Sequence, residues 1–90
     1  MELQDSLSDW NRMGLDFLHV ELSLAHTFLD SADISHEPAR KLQSREDAVA
    51  AYRSVLKFLP RVRFTNEERV DIEERLEVLR LRLVGAGMQE

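Results

Sequence analysis

The stretch Ala48-Val-Ala-Ala-Tyr52-Arg-Ser-Val55-Leu-Lys-Phe-Leu-Pro60 constrains the fold more than any other part of this chain. Ala48, Tyr52, Val55, Leu56 and Leu59 recur at three- and four-residue steps, so they share one face of a helix. Pro60 then stops it, because a proline has no amide hydrogen to donate and clashes with the preceding turn. A one-sided helix needs an apolar surface to pack against. In a chain of 90 residues with three glycines and two prolines, that surface is more helix. The expected architecture is all-α: one domain over residues 1–90, an antiparallel three-helix bundle with a long first helix.

The first helix is expected over about residues 5–32. Leu15, Leu18, Leu22, Ala25, Leu29 and Ala32 form one stripe. A second stripe runs beside it through Leu3, Leu7, Trp10, Phe17, Leu24 and Phe28, with Gly14 and Glu21 in the two remaining positions. Asp16, His19, Ser23, His26 and Asp30 fill the opposite, polar side. So broad an apolar arc predicts contact with more than one neighbour.

The second helix is expected over about 37–59, with Ser35 as its N-cap and Pro38 in its first turn. Ser44-Arg-Glu-Asp47 offers a rival start. Ala39 to Gln43 is good helix material, however, and long structureless loops are uncommon in small domains, so the earlier start is preferred. Arg53, Lys57, Arg61 and Arg63 collect near the end of this helix, where cations suit the helix dipole. Thr65-Asn-Glu-Glu68 is a capping box that opens a third helix over about 65–84. Its apolar stripe is Ile72, Leu76, Leu79 and Leu83, with Asp71–Arg75 and Glu77–Arg80 as surface pairs. Gly85 and Gly87 end it, and residues 85–90 are expected to fray.

Ala48, Tyr52, Val55 and Pro60 resemble the second helix of a tetratricopeptide hairpin, and Leu24, Ala25 and Phe28 resemble its first. Three features depart from that family, the first being Val55 where an alanine is usual. Glu21 stands where a tryptophan is usual, and the spacing from Ala25 to Ala48 is too long. The three-helix microtubule-interacting-and-trafficking domain is similar in shape. Both resemblances imply a helical module that binds peptides or helices in grooves between its own helices. They carry over packing residues and no ligand contacts.

Composition excludes several chemistries. With no cysteine there is no disulfide, thiolate nucleophile or zinc–thiolate site. A net charge of −5 argues against nucleic acid as a partner. Residues 1–37 carry eight acids against one base, and residues 38–63 carry seven bases against two acids. That alternation suits a middle helix lying beside the other two. The start of the chain lacks a basic, then apolar, secretory pattern, and no run is long enough to span a bilayer, so a cytoplasmic protein without membrane contact is expected. Glu2, Asp5 and Asp9 beside Trp10 disfavour adsorption to anionic lipid.

No serine stands in a nucleophile elbow and no glycine-rich loop exists to hold phosphate, so no catalytic residue and no cofactor is assigned. His19 and His26 are seven residues apart, about 10.5 Å along a helix, too far to share an ion unaided. They are read as solvated, and as the basis of one alternative, a small metal-responsive or regulatory protein using nearby acids. The preferred reading is a non-catalytic interaction module or small adaptor. Leu3, Leu7, Trp10, Phe17, Leu24 and Phe28 would pack on a protein partner: a second copy in a homodimer, or another helix or peptide.

Overall fold

The computed structural model describes the backbone of residues 2–88 and the side chains of residues 8–88. It is an all-α three-helix bundle: α1 (Glu2–Ile34), α2 (Pro38–Phe58), a single 3-10 turn (Leu59–Arg61) and α3 (Asn66–Gly85). Helix α2 runs antiparallel to the other two, so α1 and α3 are parallel. The molecule measures 54 × 21 × 18 Å. A helix of 33 residues is about 50 Å long, so α1 alone sets the long axis.

Local chemistry explains most boundaries. Helix α2 begins at Pro38, whose missing N–H costs nothing in a first turn. Its N-cap is Glu37 rather than Ser35; the Ser35 hydroxyl instead accepts from the Glu37 N–H at 3.4 Å. The helix passes through Ser44 without a break, and Gln43 donates to Asp47 across that point at 2.9 Å. Pro60 sits inside the 3-10 turn, which closes with Val62 N–H on the Leu59 carbonyl at 3.2 Å. The Thr65 capping box is complete, with reciprocal bonds of 2.8 and 3.2 Å to Glu68.

Helix α3 ends in a hydrogen-bonded cap. Gly87, at φ +80°, adopts the left-handed conformation that a side chain resists. This turns the chain so that Met88 N–H reaches the Leu83 carbonyl at 3.0 Å and Gly87 N–H reaches Val84 at 2.9 Å. Met88 then packs on the core. Residues 89 and 90 lie outside the described part.

Leu18, Leu22, Ala25 and Leu29 of α1 meet Ala48, Val49, Ala51, Tyr52 and Val55 of α2, and Ile72, Leu79 and Leu83 of α3. Close backbone approach is concentrated between α1 and α2. Ala25, Ala32, Ala48 and Ala51 are all buried, and small side chains let helix axes draw together. Gly14 takes this furthest. A Cβ there would stand 3.0 Å from Val62 and 3.3 Å from Phe58.

One expected core residue is misplaced. Leu56 is exposed although helical period places it between the buried Tyr52 and Val49 on the face of α2. No described helix is long and apolar enough to cross a membrane.

Candidate functional site

Helix α1 has two flanks on either side of its buried stripe, and they differ in chemistry. On the flank beyond α2, Trp10 (70% exposed), Met13 (63%), Phe17 (39%), Val20 (61%) and Leu24 (39%) stand open. Steps of three, four, three and four residues keep them on one line, the spacing of a helix–helix seam. The Phe17 ring packs on Phe58 of α2, with centroids 5.0 Å apart and planes tilted by 58°. The Arg61 guanidinium lies 6.0 Å from the Phe58 ring centre. Toward the N-terminal end the seam opens into a groove of about 900 Å³ lined by Trp10, Gly14, Phe58, Arg61 and Val62, among others.

That end is tied down by Asn11. Its side-chain nitrogen donates to the Arg63 carbonyl at 3.0 Å, and its oxygen accepts from the Arg63 N–H at 2.8 Å. One amide thus satisfies both backbone groups of a loop residue and fixes the turn between α2 and α3 against α1. Nothing in the local pattern marks Asn11 for this role; the partner is 52 residues away.

The exposed line differs from the stripe expected on sequence. Gly14 is buried against α2, and Glu21 is half-buried one heptad further on. Phe28 is half-buried and packs on the core, so the open line ends at Leu24. Leu3 and Leu7 lie outside the residues whose side chains are described. Met13 and Val20 take the places assigned to Gly14 and Glu21. Trp10, Phe17 and Leu24 of the expected stripe lie on the open line, which the three-four steps from Trp10 to Leu24 mark in the sequence.

The second flank of α1 faces α3. Here His19, Ser23, His26, Asp30 and Asp33 meet two arginines. Arg75 donates to Nδ1 of His19, and to the Ser23 hydroxyl at 3.2 Å. Arg82 donates to Nδ1 of His26 at 3.0 Å and to the His26 carbonyl at 3.3 Å. It also pairs with Asp30, and with Asp33 at 3.5 Å. His19 and His26 are thus half-buried and engaged by arginines rather than freely solvated, while Asp16, Ser23 and Asp30 are exposed.

The reason is register. His19 and His26 are seven apart, as are Arg75 and Arg82, and parallel helices keep such pairs in step. Arg75 is consequently directed to α1 and not to Asp71, whereas Glu77–Arg80 forms as expected at 2.6 Å.

His26 loses basicity in this setting. Burial comes first, followed by the positive charges of Arg82 and Arg75, and these outweigh the opposing pull of Asp30. Guanidinium groups against both imidazoles also oppose a metal cation there. Among the described residues, no group of three or more His, Asp or Glu is placed to hold a metal ion.

No family model, no curated protein and no solved structure matches this chain.

Proposed function

We propose that this protein is a non-catalytic helical interaction module that self-associates through the outer flank of α1. The observation that carries the reading is the uncovered line Trp10, Met13, Phe17, Val20 and Leu24. Large side chains in contiguous rows are costly to leave in water and are characteristic of contact surfaces. Phe17 is anchored on Phe58, so part of the surface is rigid before any partner arrives, which lowers the ordering cost of association. The non-catalytic part of the reading is supported by the histidines, whose Nδ1 atoms are engaged by arginines.

Light scattering coupled to size exclusion, over a range from low to high micromolar protein, tests this reading. The expected result is a mass that rises to that of a dimer, and a monomer for Val20→Asp with unchanged helical circular dichroism. A strictly monomeric native chain at high micromolar concentration would remove self-association.

A further inference from the structure

We propose that the groove at the N-terminal end of the bundle binds an acidic peptide segment that carries a large apolar side chain. This goes beyond self-association and stands or falls apart from it.

The groove exists because α1 outruns the other helices. Asn11 is bonded to Arg63 in the turn between α2 and α3, and α1 begins nine residues before Asn11. By helix rise that overhang is roughly 13 Å long. Where it leaves the turn, residues of α1 from Ser8 to Leu15 and of the turn from Phe58 to Arg63 border a space of about 900 Å³.

The walls of this space are chemically mixed. Gly14 and Val62 are buried, Phe58 is half-buried and Trp10 is open, so the floor is apolar. Arg12, Arg61 and Arg63 are exposed around it. Three bases against Glu68, the one acid among the described lining residues, leave the groove at +2 in a chain of net charge −5. Glu68 is already committed, because its carboxylate accepts the Thr65 N–H at 2.8 Å in the capping box. Among the described residues, no carboxylate lies within ion-pair distance of any of the three arginines.

Arg12 is the sole base among residues 1–37, against eight acids, and it stands where the two arginines of the turn come in. The α2 dipole favours Arg61 and Arg63 but has no hold on Arg12, which belongs to another helix. Asn11 prepares the site further. By holding both backbone groups of Arg63 it fixes the base of that side chain against α1 before a ligand arrives. Arg61 is steadied over the Phe58 ring.

Floor and charge together select the ligand. A free phosphate has nothing to lay on the floor, and a basic peptide repels the arginines. A nucleic-acid strand running past the groove would meet the acids of α1 and α3. Carboxylates flanking an aliphatic side chain match both parts.

Trp10 is the chain's one tryptophan and lines the groove, so its emission reports occupancy directly. Trp10 also belongs to the line proposed for self-association, so the titration uses Val20→Asp at low micromolar concentration, which keeps that line unpaired. The peptide acetyl-Asp-Glu-Leu-Leu-Glu-Asp-amide should shift the emission to the blue and saturate, with weaker binding as salt is raised. Arg12→Gln, Arg61→Gln and Arg63→Gln should each lower affinity by about two- to fivefold with helical circular dichroism unchanged, and the triple variant should not respond. An emission unchanged up to millimolar peptide would overturn the proposal. So would an equal response to acetyl-Lys-Lys-Leu-Leu-Lys-Lys-amide, which would leave the arginines no part in binding. Tighter binding of oligothymidylate would overturn it in favour of a nucleic-acid site. A monomeric mass for the native chain removes self-association and leaves the groove proposal standing.

Discussion

The two flanks of α1 differ in a direction opposite to what their polarity suggests. The polar flank meets α3, whose arginines engage two half-buried histidines and two aspartates that remain exposed. The apolar flank, with a tryptophan and a phenylalanine, has no helix over it. The difference shows that a third helix goes where its own edge can be satisfied. The edge of α3 that meets α1 carries Arg75 and Arg82. Laid against Trp10 to Leu24, those guanidinium groups would lose water and gain no acceptor, a cost of several kcal/mol each. Laid against His19, Ser23, His26, Asp30 and Asp33, they find acceptors. The apolar flank is left bare as a consequence.

That account makes outcomes on the two flanks separable. The largest effect belongs to the buried stripe between them. Leu22→Ala, at a site with no solvent exposure, lowers unfolding free energy by about 2–5 kcal/mol. Val20→Ser, two residues away on the bare flank, changes the dilute monomer by less than about 0.5 kcal/mol. Urea unfolding of both variants at low concentration checks this. Equal losses would mean that Val20 is covered within its own chain.

A smaller effect is expected on the polar flank. Arg82→Met keeps the aliphatic stem but removes the donors to His26 and the pairing with Asp30 and Asp33. Exposure of these groups limits the loss to about 1 kcal/mol. Thermal melting measures it, and an unchanged melting temperature would mean that the arginine does not hold α3 in place.

The smallest effect is a pH dependence. His26 is less basic folded than unfolded, so the unfolded chain binds the proton first. Its contribution is fully present above the unfolded value of 6.5 and is lost as pH falls toward the lowered folded value. The melting temperature should therefore decline from pH 7 toward pH 5, before the carboxylates titrate. In His26→Gln the decline should be shallower. A melting temperature that rises over that interval would reverse the assigned direction.

Much of the fold was legible because it depends on neighbours in the chain. The Thr65–Glu68 capping box, Pro38 in a first turn and Pro60 at a stop act within four residues of themselves. The buried stripes of Leu18 to Ala32 and of Ile72 to Leu83 follow from helical period alone. Less of the candidate site was legible. Gly14 was assigned to the apolar stripe but is a contact point for α2, and only the approach of Phe58 and Val62 distinguishes those roles. Asn11 gains its function from a loop 52 residues away.

The amino-acid order therefore settles that there are three helices, to within a few residues where they begin and end, and most of the residues that turn inward, since these follow from period and capping. It leaves open on which side of the α1–α2 pair the third helix lies. Two arrangements of opposite hand bury the same stripes equally well. The choice rests on long-range pairing, with Arg75 and Arg82 in register with His19 and His26, and that matching exists only once the helices stand side by side.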